Sequence, residues 1–105
     1  TKINAYHMSL FARLLEKMRA IPDGDGTLLD HSIMLWGSGM GDGDHHTPYD
    51  LPITVVGGGC GKLRGGRHLQ YTMDTPFMNL ALSLLDKVDV HLDSLADSTG
   101  RLTEV

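Results

Sequence analysis

A chain of 105 residues with 41% apolar side chains is one domain or a piece of a larger one, with enough apolar content for a modest core. Its net charge is −4, and its basic residues cluster only at Lys62, Arg64 and Arg67. That excludes the concentrated basic footprint that nucleic acid or another polyanion needs. The single cysteine, Cys60, excludes an internal disulfide, and no apolar run reaches the roughly 18–20 residues that cross a bilayer.

One cysteine leaves the redox compartment open. The start, Thr1-Lys2-Ile3, has no initiator methionine and no signal peptide, and reads as a cloning boundary or a processing product. Asn4 is placed to cap a helix over about Ala5–Ala20. Met8, Phe11, Leu14, Leu15 and Met18 repeat at helical spacing on one face of it. Ile21-Pro22 stops that helix, because a residue before proline avoids the α region.

Asp23-Gly24-Asp25-Gly26-Thr27 has the look of a calcium loop. With Gly26 at the loop's fixed glycine, however, the first and last ligands would fall on Ile21 and Ser32, which cannot serve. The stretch is a polar turn. Leu28 and Leu29 then re-enter the core, and Asp30 is placed to accept a hydrogen bond from a nearby backbone amide. Ser32–Trp36 is a short apolar run of the kind expected for a strand buried on both faces, within a layered α/β sheet. Ile53–Val56 is a second such strand, with Pro52 at its entry.

Gly57-Gly58-Gly59-Cys60-Gly61-Lys62 fails as a phosphate loop, since the pattern needs glycine at 56 and Ser or Thr at 63 where the chain has Val56 and Leu63. It is read as a flexible turn. Gly65–Leu69 suits a short edge strand. Thr75 and Pro76 supply an N-cap and a first helical residue for a second helix, whose apolar face is Phe77, Leu80, Ala81, Leu84, Leu85 and Val88. The tail after Asp89 has weak periodicity and is expected to pack loosely or end irregularly. Two or three strands make a small sheet flanked by helices, which a larger sheet or a partner chain would complete.

The richest chemistry lies in Trp36–Pro52, WGSGMGDGDHHTPYDLP. A glycine-rich polar loop between two strands is where an α/β protein usually carries its site. Asp42, Asp44, His45, His46 and Asp50 fall within nine positions, and imidazole with carboxylate is a donor set for zinc or manganese. Neighbouring side chains diverge, so one histidine as ligand and one group behind it is the better expectation. A solvated polar loop without a ligand is the plain alternative. Cys60 has no orienting partner for a nucleophile's role, and His7, His31 and His91 read as ordinary.

The pieces Gly24–Asp30, Leu35–Ser38 with Met40-Gly41, His46-Thr47, Asp50–Pro52, Gly57–Gly59 and Gly66–Leu69 resemble, in order and spacing, the C-terminal part of the bacterial HXXSHH-motif proteins of unknown function. Those proteins are similar to the alkaline-phosphatase-like superfamily, which includes the sulfatases and the cofactor-independent phosphoglycerate mutases. The resemblance implies the C-terminal part of an alkaline-phosphatase-like α/β sandwich, so that residues 1–105 are a single domain or a fragment of that larger domain. It implies a secreted or periplasmic parent. It places a metal ligand of the superfamily on His46, with His45, Asp44, Asp50 and His68 as further candidates, a divalent zinc, manganese or calcium as the cofactor, and Arg67 as an anion-binding residue. The superfamily's other ligand pair falls on Gly39-Met40, which cannot ligate in the usual way. Its nucleophile lies upstream of anything in this chain.

Three functions follow. The chain is part of a metal-dependent phosphate- or sulfate-ester hydrolase, without catalysis of its own as an isolated chain. Alternatively, it is a non-catalytic binding or structural module of a bacterial cell-envelope protein. As a third reading, it is an oligomerising α/β unit whose polar loop holds nothing. The expected partners are a second copy or the rest of a longer parent, with no nucleic acid and no membrane span in this segment.

Overall fold

A computed structural model describes residues 2–105. They form a mixed α/β unit of two helices and two small antiparallel sheets. Helix α1 spans Lys2–Ala20 and ends before Pro22 as expected. It begins earlier than the asparagine suggests. Asn4 lies within its first turn rather than capping it. Only Phe11 and Met18 of its apolar residues are buried. Met8 and Leu14, expected on the same inner face, stay 45% and 43% exposed because little packs beside them.

Strands β1 (Pro22–Asp23) and β2 (Gly26–Thr27) close the polar turn as a hairpin, with Gly24 at φ +57°. Asp30 then fixes the exit: its Oδ2 accepts from the Thr27 N–H at 2.9 Å and from the Thr27 hydroxyl at 2.7 Å. Those two bonds hold its carboxyl below the usual carboxylate range. Leu29 turns inward and is buried.

Strand β3 (Met34–Gly37) pairs antiparallel with β4 (Ile53–Val56), Met34 opposite Val56 and Gly37 opposite Ile53. This corrects the layered-sheet expectation. The pair is a two-stranded ribbon: β3 alternates between half-buried and exposed, and β4 is half-buried at Ile53, Val55 and Val56 and exposed at Thr54, so no residue of either strand is fully buried. Leu35 points outward at 43% exposure. Trp36 stacks on Phe11, with ring centroids 4.8 Å apart and planes at 20°, which ties β3 to α1.

The glycine turn after β4 is strapped down, not flexible. Three consecutive amides, those of Gly58, Gly59 and Cys60, donate to the carbonyls of Leu29, Ser32 and Asp30 at 3.0, 3.0 and 2.9 Å. The approach requires glycine, since a Cβ at Gly57 would strike the Ser32 carbonyl and one at Gly58 the Asp30 carbonyl. A short 3₁₀ turn, Gly59–Gly61, follows. Gly65–Leu69 forms no strand, because no neighbouring strand reaches it.

Helix α2 spans Phe77–Lys87. Its N-cap is Pro76, in extended backbone, one residue later than expected, while the Thr75 hydroxyl pairs with that of Thr72 at 3.1 Å. The face it buries also differs from the expected one: Asn79, Leu82 and Ser83 are buried, Leu82 completely, and Val88 lies exposed at the C-cap. The cause is what covers it. The irregular tail, and not a sheet, lies along α2. The Asn79 amide donates to Thr99 Oγ1 at 3.0 Å, the Leu102 N–H donates to Ser83 Oγ at 2.7 Å, and Arg101 pairs with Asp86. The tail is therefore irregular, as expected, but firmly held.

Candidate functional site

The loop between β3 and β4 is built on Asp42. Gly41 donates to the Thr47 carbonyl at 2.9 Å and Thr47 donates back to the Asp42 carbonyl at 3.2 Å, closing a one-bridge hairpin. Inside it, Asp42 Oδ1 accepts the N–H groups of Asp44 and His45 at 2.8 and 3.2 Å, a turn in which a side chain replaces a backbone acceptor. Asp42 Oδ2 lies 3.0 Å from His45 Nδ1. Together these bonds, the His45 contact foremost, hold the Asp42 carboxyl below its ordinary range.

The two histidines are presented alike. Nδ1 of His45 lies on the Asp42 carboxylate and Nδ1 of His46 lies 3.2 Å from the Asp44 carbonyl, so in each ring Nδ1 faces an oxygen and Nε2 is the nitrogen without a partner in the hairpin. His46 and Asp50 both sit at left-handed backbone angles, φ +55° and +51°, which non-glycine residues adopt at a cost of about 1–3 kcal/mol. Asp42 thus holds the His45 ring from behind by its Oδ2.

The expected ligands do not converge. Among the described residues, no group of three or more His, Cys, Asp or Glu side chains is placed to hold a metal ion. His45, His46 and Asp44 share the hairpin, while Asp50, Arg67 and His68 line a separate open groove of about 1030 Å³. As arranged, these candidates form no single set of ligands. Arg67 is likewise engaged elsewhere: its Nε donates to the Arg64 carbonyl at 2.9 Å and its Nη1 to the Glu104 carbonyl. Its fork clamps the tail to the Arg64–Tyr71 segment instead of lying open for an anion. Tyr71 lies 3.5 Å from the Glu104 carboxylate, and burial followed by that negative charge pushes its hydroxyl pKa up.

Two histidines that read as ordinary have partners. His31 is bracketed, with Nδ1 3.0 Å from Asp23 and Nε2 3.0 Å from Asp25. Asp23, above all, raises its pKa against the opposing effect of burial. The carboxylates lie eight and six positions upstream, and only the β1–β2 turn brings them to the ring. His91 lies 2.9 Å from Asp86, which also holds Arg101. The Arg101 bond first and the His91 bond second lower the Asp86 pKa to about 2. Asn79, Ser83 and Asp86 stand at helical spacing on α2, a polar stripe that the apolar-face reading passed over.

Searched against protein-family models, curated proteins and solved structures, the chain has no match in any of the three.

Proposed function

We propose that this chain is a docking unit of an alkaline-phosphatase-like α/β domain, completed by protein outside it and without hydrolytic chemistry of its own. The family assignment is supported by the ordered motifs from Gly24 to Leu69. The docking role is supported by one observation, the shortage of buried surface. The accessible surface is 7674 Å². A compact monomer of this mass exposes about 5,800 Å². The radius of gyration, 15.1 Å, exceeds the roughly 13 Å of a compact chain of this length. Phe11, Met18, Leu29 and Leu82 are the buried hydrophobic residues, while large apolar side chains from Ile3 to Leu92 stay exposed.

A chain in this condition gains stability by covering apolar surface against another body. The test is chemical denaturation of the isolated chain beside its sedimentation behaviour. Self-association or a broad, weakly cooperative transition is expected. A strict monomer with a sharp transition and the denaturant slope of a compact domain of this size would overturn the reading.

A further inference from the structure

We propose that the docking partner is a second copy of this chain, the outer stripe of α1 from each copy lying in the groove of the other. This rests on the docking role above and names its occupant. On α1, Ile3, Tyr6, Leu10 and Leu14 recur at spacings of three and four, so they share one face. They are 70%, 61%, 43% and 43% exposed, whereas the buried pair, Phe11 and Met18, lies to one side of them. Among the described residues this apolar face is left largely open at Ile3 and Tyr6 and partly open at Leu10 and Leu14.

The groove is the concave counterpart. It lies between the β4 region, the Leu63–Asp74 segment and α2, and is lined by Ile53, Val55, Leu63, Phe77, Leu80 and the largely exposed Met73. A helix with an apolar stripe laid into an apolar groove is a recurring mode of recognition.

Charge favours a second copy over other occupants. Lys2, Arg13, Lys17 and Arg19 against Glu16 give α1 a charge of +3, which leaves −7 on the rest of a chain whose total is −4. Asp50, Asp74 and Asp97 line the groove beside Arg64 and Arg67, and Arg67 is turned to main-chain carbonyls. A basic helix thus meets an acidic body. The area allows it: were the roughly 1,900 Å² by which each copy exceeds a compact monomer hidden in the contact, the two copies together would fall within the roughly 2,000–5,000 Å² of obligate homodimers. The exchange is self-complementary, as a two-fold dimer requires. An anionic lipid surface suits the stripe and its basic residues as well, but it would leave the groove uncovered.

Sedimentation equilibrium of the wild-type chain, of Leu10→Glu and of Met73→Glu tests this, with circular dichroism to check that each variant keeps its helices. Both substituted residues are exposed. The wild type is expected to be a dimer, and each variant alone to dissociate about 30-fold more readily or further. An equal mixture of the two variants is expected to regain dimers, because the groove of the Leu10→Glu chain and the helix of the Met73→Glu chain form one intact contact. A dimer weakened by Leu10→Glu but not by Met73→Glu, or a mixture that stays monomeric, would overturn the exchange. So would a monomer that binds phosphatidylserine vesicles through Leu10. A wild-type monomer with a broad melt overturns the dimer and leaves docking onto a parent chain. A wild-type monomer with a sharp melt overturns both.

Discussion

Asn79 and Thr99 hold each other by two hydrogen bonds: the Asn79 amide donates to Thr99 Oγ1 at 3.0 Å, and the Thr99 N–H donates to Asn79 Oδ1 at 2.8 Å. Twenty residues apart in sequence, they fasten the tail to α2. Asn79 is buried, so Asn79→Ala leaves the Thr99 amide without its acceptor and is expected to cost about 1–3 kcal/mol. Amide exchange at Thr99 and Leu102 reports it site by site. Faster exchange at both is expected, and unchanged protection would mean that the tail is held by other contacts.

The strap between the two turns gives a sharper contrast. Gly58→Ala forces a Cβ against the Asp30 carbonyl, which is backbone and cannot swing away. A loss of about 1–3 kcal/mol is expected from overpacking. At Gly65, a Cβ meets nothing within 4 Å and the backbone angle is ordinary, so Gly65→Ala is expected to change stability by under about half a kcal/mol. Equal effects at the two sites, measured by denaturation, would refute the strap.

Local features were legible in the sequence and long-range ones were not. The helix stop at Pro22, the polar turn at 23–27, the Asp30 hydrogen bond and the inward Leu29 all depend on neighbours within a few residues. The strands were found, but their covering was misjudged, because an apolar run does not say what will lie on it: β3 and β4 form a ribbon without a layer on each face. The Asp42-centred hairpin lay inside the stretch singled out, yet the candidate ligands split between that hairpin and the groove. The brackets around His31 and the tail's hold on α2 depend on where loops return, which no local pattern encodes.

Burial separates two leucines that look alike in sequence. Leu82 is fully buried, so Leu82→Ala is expected to cost about 2–5 kcal/mol through the cavity it leaves. Leu35 is 43% exposed, and Leu35→Ala is expected to cost under about 1 kcal/mol in the isolated chain. A large loss at Leu35 in a dilute, monomeric sample would mean that β3 is covered in solution.

Stability is expected to fall at both ends of the pH range, for separable reasons. His31 has a folded pKa raised above 6.5 by Asp23, so its contribution is fully present below pH 6.5 and is lost as pH rises through the folded value. Asp86 has a folded pKa lowered from 3.8 to about 2, so its contribution is present above 3.8 and is lost as pH falls toward 2. Asp23→Asn is expected to shrink the first effect, leaving the smaller share due to Asp25, and Asp86→Asn to remove the second in thermal melts across pH. The His31 ring signals in a proton NMR titration give the direct check: a midpoint at or below 6.5 in the wild-type chain contradicts the bracket.

Metal content decides how far the β3–β4 loop retains a site. His45 and His46 keep Nε2 free of hairpin partners, but two imidazoles from adjacent residues diverge, and although Asp44 shares their hairpin, no three donors are placed to hold an ion among the described residues. Zinc held firmly by protein takes three or four donors at about 2 Å, and manganese favours octahedral coordination. The chain, purified without a histidine tag, is therefore expected to carry zinc, manganese or calcium well below one ion per chain by elemental mass spectrometry, with no rise in melting temperature on adding the ions. One ion per chain, lost in His46→Ala, would mean that Asp44 turns to the ion or that Asp50 or His68 swings from the groove to complete the set. Loss in Asp42→Asn as well would add that the carboxylate behind His45 is needed to aim the ring. In that event the loop becomes the place to seek ester hydrolysis in the full-length parent.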